Sequence, residues 1–309
     1  MIKEKSKIII DTDPGHDDAL AILLLEKSGF FDIKAITTVA GNSSIEDTNN
    51  NARYILDLIS SKTPIYSGEE KPLKKELIKA VVHGNGGLAG AKINKIEKLT
   101  NNASLKIINL VKSSPNEITI ITLGPLTNIA KAFMEEPEII SMIKEIVIMG
   151  GAIEVPGNKN RVAEFNIFVD PDAADIVFRA DLKKTLVTLD ACNDIFLLLN
   201  DFEQIKNPSL SQPIKDMMKP YIEGIQKFEK ASGALMYDPL AAYFLINPSA
   251  YELIPMDIKV ETNSELTRGM TVADRRKWGE KKNNINVVNK INKEAFISDF
   301  ISILNKKTA

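Results

Sequence analysis

The chain has 309 residues, 44% of them apolar and 26% charged, with a formal net charge of -2. That is the balance of an ordinary globular protein with a sizeable core, and it leaves no electrostatic footprint for nucleic acid or a membrane surface. One cysteine, Cys192, and two histidines, His16 and His83, exclude an internal disulfide, a cysteine zinc cluster and a histidine-rich metal centre.

Met1 to Lys7 is charged, and the apolar run Ile8 to Ile10 is too short for a signal peptide. No later run reaches membrane-span length, so a cytoplasmic protein is expected. Lys7 to Asp11 reads as a short buried strand and Asp18 to Lys27, apolar nearly all round, as a buried helix. Ile33 to Val39 is rich in β-branched residues and reads as a strand that stops at Gly41-Asn42. Ser43 to Glu46 has the form of a capping box for a helix running to about Ser60. Asn42-Ser43-Ser44 and Asn102-Ala103-Ser104 match the glycosylation triplet by chance. The tract Lys71 to Lys79 mixes lysine with glutamate and reads as a solvated helix face.

His83 to Gly90 is glycine-rich. Gly84, Gly86 and Ala89 have the spacing of a dinucleotide fingerprint, but no strong strand leads in and no acid follows at the required distance. Further on, strands are expected at Glu117 to Leu123, Glu145 to Met149, Lys184 to Leu189 and Ile285 to Val288. Helices are expected at Leu126 to Glu135, Pro171 to Arg179, Asp238 to Ile246 and Lys293 to Leu304. This alternation predicts an α/β fold: one domain over residues 1–309, with a single open, mostly parallel, Rossmann-like sheet flanked by helices. Residues 195–236, helical but irregular, are expected to form a lobe or lid within it.

Four carboxylates, Asp11, Asp13, Asp17 and Asp18, crowd the stretch from the first strand into the first helix. Helix capping accounts for one or two of them. The rest repel and raise one another's pKa unless a cation relieves them, and an all-oxygen donor set calls for Ca²⁺ or Mg²⁺. In a parallel sheet, ligands bind beyond the carboxyl ends of the strands, which is where this cluster falls.

The chain resembles the inosine–uridine-preferring nucleoside hydrolases over nearly its whole length. The resemblance rests on Asp11-Thr-Asp-Pro-Gly-His-Asp-Asp18, Ala40-Gly-Asn42, His83-Gly-Asn-Gly-Gly-Leu88, Gly124-Pro-Leu-Thr-Asn128, Met149-Gly-Gly151, Ala163-Glu-Phe-Asn166, Asp170-Pro171 and Asp238-Pro-Leu240. It implies cleavage of ribonucleosides to ribose and free base, with Ca²⁺ held by Asp13, Asp18, Asp238 and the backbone carbonyl of Leu123. The ion would carry a water and the ribose 2′- and 3′-hydroxyls, and Asp13 would take the water's proton. Asp17, Asn42, Asn158, Glu164 and Asn166 would grip the ribose, with Asp11 as a supporting group. Glu164 and Asn166 alternate along an apparently extended segment, which points both to one face. Met149, at a strand end, is core or touches the sugar. The resemblance also implies a homo-oligomer, a dimer or tetramer.

The leaving base falls to His83, on a mobile loop, and to Tyr237. His16 is read as structural and Trp278 as part of an exposed basic surface. Pyrimidine-capable members commonly carry histidine where Tyr237 stands, and phenol is the poorer acid at neutral pH, although it can hydrogen-bond or stack. His83 in turn stands where purine-preferring members are expected to carry an aromatic. Two other readings are weighed against hydrolysis of nucleosides. A Mg²⁺-dependent phosphate-ester hydrolase built on Asp11-Thr-Asp13 lacks the later lysine it would need. A ribonucleoside-binding protein without turnover has no use for Asp13.

Overall fold

The computed structural model describes residues 5–307; the outermost residues of the expected domain, 1–4 and 308–309, lie outside the described residues. The chain opens with β1 (Ser6–Thr12), in which Ile8, Ile9 and Ile10 are all fully buried. Helices and strands then alternate through α1 (His16–Ser28), β2 (Phe31–Thr38), α2 (Ile45–Leu58), β3 (Ile65–Ser67), α3 (Ala103–Ser113), β4 (Thr119–Thr122) and α4 (Thr127–Glu135). Next come β5 (Glu145–Met149), α5 (Phe165–Val169), α6 (Pro171–Arg179), β6 (Lys184–Val187) and α7 (Leu189–Cys192). Residues 195–236 hold β7 (Phe196–Leu197), α8 (Ser211–Phe228) and β8 (Ala234–Leu235). The chain finishes with α9 (Tyr237–Ile246), β9 (Tyr251–Met256), β10 (Ile258–Val260), β11 (Thr271–Ala273), β12 (Ile285–Ile291) and α10 (Lys293–Asn305).

Eight strands form one sheet in the order β3-β2-β1-β4-β5-β6-β12-β9, parallel throughout except where β9 runs against β12. This is the open, mostly parallel α/β sheet that the sequence predicts. Its pleat divides the core. Ile8, Ile10, Ile121, Val147 and Val187 face one side, with α1, α2, α8, α9 and α10. Ile9, Ile120, Ile146, Ile148 and Leu186 face the other, with α3, α4 and α6. α1 packs against β2, α2, α9 and α10, which explains why it is apolar all round. Truncating a side chain such as the fully buried Leu23 there removes about 2–5 kcal/mol of stability.

β1 has β2 on one side and β4 on the other, so the strand order reverses beside it. The crevice at such a reversal is where open α/β sheets bind ligands.

Several local expectations need correction. The 71–79 tract forms no helix; it is tied instead to the start of α6, where Leu73 N–H donates to Asp170 and Lys74 pairs with Asp172. The cap of α2 is Ser44, which accepts from Asp47 N–H, one residue later than the Ser43–Glu46 box. Glu164 and Asn166 do not share an extended segment, because Glu164 caps α5 and Asn166 lies in its first turn.

Candidate active site

Asp13 leaves β1 at the Pro14-Gly15 turn. Its Oδ2 accepts the Asn42 backbone N–H at 2.7 Å, while its Oδ1 is buried without a hydrogen-bond partner. Glycines press on it from two loops: a Cβ at Gly41 would collide with Oδ2, and one at Gly124 with Oδ1. Asp18 closes the turn by accepting Gly15 N–H at 2.9 Å and Asn42 Nδ2 at 3.1 Å on one oxygen, and the Thr12 hydroxyl on the other. Capping is therefore real for Asp18, but it leaves Asp13 and Asp17 unexplained. Asp11, one turn behind, accepts from Thr37 Oγ1 at 2.5 Å and Asn128 Nδ2 at 2.8 Å.

The strand ends converge on one cluster. Carboxylate oxygens of Asp17, Asp18 and Asp238 come within 4.8 Å of one another. Asp17 thus stands in the closest trio, where the sequence reading has Asp13. Asp13, Asp17 and Asp238 are held well above the usual carboxylate range, by burial first and by the charge of Asp18 next. Burial also raises Asp18, and burial pushes Asp11 up to about 7. Among the described residues no lysine or arginine pairs with these four aspartates; His83 Nε2 comes nearest, 4.0 Å from Asp17 Oδ1. Hard, charged oxygens, one of them orphaned, with no protein cation to answer them, fit a hard divalent cation.

A cavity of about 280 Å³ opens above this cluster. The residues proposed for the ribose and the base all line it, as do Leu123 and Asp238, whereas Asp11, Asp13 and Asp18 are fully buried and outside its lining. Asn166 Nδ2 donates to the carbonyls of Leu123 at 2.8 Å and Met149 at 3.3 Å, so it bridges the ends of β4 and β5. Glu164 accepts backbone N–H groups from Asn166 at 2.8 Å, Gly151 at 3.1 Å and Ile167 at 3.2 Å. Burial still pushes its carboxyl up to about 7. Asn158 Oδ1 accepts Phe165 N–H at 2.9 Å, which fixes the loop before α5.

His83, Tyr221, Phe228, Glu229 and Tyr237 also line the cavity. His83 is buried rather than carried on an exposed loop tip. Its ring runs nearly parallel to those of His16 and Tyr221, with centroids 5.3 Å from each. His16 therefore packs into the site wall. Burial lowers His83 well below the ordinary histidine range, with His16 adding to the effect. The Tyr237 phenol is pushed well above 10, first by burial and then by the charge of Glu229. Tyr221, Phe228 and Glu229 all come from α8 and its end, and the sequence reading misses them. The signal available was only that residues 195–236 form an irregular helical segment.

The sequence profile described as inosine-uridine preferring nucleoside hydrolase matches residues 8–298, and the chain belongs to that family. It is thus an enzyme of the nucleoside hydrolase class, an N-glycosidase. A pyrimidine-specific ribonucleoside hydrolase of Shewanella sp. (strain MR-4) is 36% identical over 306 residues, covering 96% of this chain and 95% of that protein. Among solved structures, a plant nucleoside hydrolase superposes with a TM-score of 0.89 at 28% identity, covering 98% of this chain and 99% of the other. A purine-preferring ribonucleoside hydrolase from Gardnerella vaginalis gives 0.88 at 28% identity, covering 97% and 98%. Relatives named for opposite bases thus match the chain along nearly its whole length. Among the described residues no helix is long and apolar enough to cross a membrane.

Proposed function

We propose that the enzyme is a Ca²⁺-dependent ribonucleoside hydrolase that works by single displacement, with Asp13 as general base. The observation that carries this reading is the buried, partnerless Oδ1 of Asp13, beside carboxylates that no protein cation neutralises. Asp13, Asp18, Asp238 and the Leu123 carbonyl would hold the ion, with Asp17 beside them. When bound, the cation supplies a Lewis acid that acidifies a water and a flexible coordination sphere that suits a sugar diol.

The residues of the chain do the rest. Asp13 takes the proton of the attacking water on the oxygen that no donor occupies. Asp17, Asn42, Asn158, Glu164 and Asn166 orient the ribose hydroxyls, and Met149 lies against the sugar. The buried carboxylates favour the positive charge that builds on the ribose ring as the bond to the base lengthens. Fixed backbone N–H groups hold Glu164 in place, so it need not reorganise during the reaction. His83 and Tyr237 face the leaving base. Water and base occupy opposite faces of the sugar, which predicts inversion at the anomeric carbon. The proposal includes a homo-oligomer, by resemblance to the family.

Ribose release from inosine, adenosine, guanosine, uridine and cytidine tests the reading. Native protein releases ribose from at least one of them, and Asp13→Ala loses about 10²–10⁴-fold in kcat. Absence of ribose from the whole panel would sink the proposal.

A further inference from the structure

Tyr237 and His83 face the leaving base, yet both are engaged elsewhere: the Tyr237 hydroxyl reaches Asn193 Oδ1 at 3.1 Å, and His83 Nδ1 shares a proton with His16 Nδ1 across 3.0 Å. A departing nucleobase that is not protonated must leave as an anion, at a large cost in barrier. Besides Asp17, Glu164 and Asp238, the wall of the cavity carries one further carboxyl, that of Glu229.

Glu229 ends α8, with its N–H donating to Ile225 O at 2.8 Å. The helix thereby sets its side chain against Tyr237, 3.5 Å from carboxylate Oε2 to hydroxyl. That hydroxyl also lies 3.1 Å from Asn193 Oδ1, and its single hydrogen serves the nearer acceptor. The Glu229 carboxyl is left with no strong donor. It is half-buried and lines the same cavity as Asp17, Asp238, His83 and Tyr221.

We infer that Glu229 is the acid that protonates the departing nucleobase, in an assignment that rests on the hydrolase reading above. Burial pushes its carboxyl up to about 7, so it can both give and regain a proton at neutral pH. As the bond from C1′ to the base nitrogen breaks, its electron pair stays with the base, and the Glu229 proton passes to a base ring nitrogen. At the other face the water oxygen bonds to C1′, and Asp13 takes the water's proton. Solvent then returns a proton to Glu229 and removes one from Asp13, so one water is consumed for each base released. The substrates suited to it are ribonucleosides whose bases carry a basic ring nitrogen and leave poorly as anions.

The test compares Glu229→Gln with the native enzyme on inosine and on 4-nitrophenyl β-D-ribofuranoside. Nitrophenolate leaves without a proton, whereas hypoxanthine needs one. The expected result is a kcat about 10²–10⁴-fold lower on inosine, with the loss confined to that substrate. An equal loss on both substrates would assign Glu229 to the fold or the sugar and overturn the inference. So would an undiminished rate on inosine. A native enzyme that does not cleave inosine would also overturn the inference, and the hydrolase reading fails with it only if none of the five nucleosides releases ribose.

Discussion

The Nδ1 atoms of His16 and His83 lie 3.0 Å apart, so a proton must sit between them. His16 Nε2 faces the Ala89 carbonyl at 2.9 Å, and a carbonyl only accepts, so the proton of a neutral His16 ring is on Nε2. Burial pushes His16 down to about 4, which keeps it neutral and makes its Nδ1 an acceptor. The shared proton therefore belongs to His83 Nδ1, and His83 Nε2 turns a bare lone pair toward Asp17. The His16 backbone N–H also approaches His83 Nδ1, at 3.3 Å, but two bare nitrogens at the shorter distance would repel, so the side-chain contact prevails. Histidine-ring nitrogen spectra at neutral pH are expected to show His83 protonated at Nδ1 alone. Protonation at Nε2 would contradict this and restore His83 as a candidate acid.

Asp13 is held by the absence of side chains at Gly41 and Gly124 as much as by its hydrogen bonds. Alanine at either position would push a methyl into one of its carboxylate oxygens. Gly124→Ala is expected to lower kcat to the same extent as removing the base, about 10²–10⁴-fold. Near-native turnover in that variant would show that Asp13 does not need this position.

Without a cation, the buried carboxylates set how stability depends on pH. Asp11 and Glu164, about 7 in the fold, and Asp13, Asp17 and Asp238, raised well above the ordinary carboxylate range, all have folded values above their unfolded ones. Their contribution is fully present below about pH 4 and is lost as the pH rises to 7 and beyond. His16 and His83 have lowered values and pull the opposite way, losing stability as the pH falls from about 6.5. The carboxylates outnumber them. In chelator the melting temperature is therefore expected to fall between about pH 5 and pH 8, and Ca²⁺ should raise it most at the upper end, where the ligands are ionised. A melting temperature indifferent to both pH and Ca²⁺ would contradict the metal assignment.

Cys192, fully buried in α7, has its thiol pushed far up by burial. A thiol reagent is expected to leave it unmodified in the native protein and to react once in denaturant. Rapid labelling under native conditions would mean that this part of the wall opens.

What was legible in the sequence follows from how far each signal is local. Ile8-Ile9-Ile10 and the all-apolar α1 announce themselves, because a parallel sheet buries both faces. The aspartate cluster stands out because no packing rule asks for it. Strands of three residues such as β3, β10 and β11 are too short to show a period, and β9 exposes four of its six residues. α5 is capped because the Glu164 carboxylate gathers N–H groups from its first turn and from distant Gly151, which the local pattern does not encode. Glu229 sits in Lys227-Phe-Glu-Lys230, a stretch like any solvated helix end until α8 docks it against Tyr237. His16 looked structural, and it does pack, but its ring also fixes the proton of His83.

The central claim is that the aspartate cluster works through a bound cation on a ribonucleoside. The most direct measurement is ribose release by protein stripped with chelator, before and after Ca²⁺ is returned. The account predicts no measurable release from stripped protein and restoration of the native rate by Ca²⁺. Full activity in the stripped protein would contradict it.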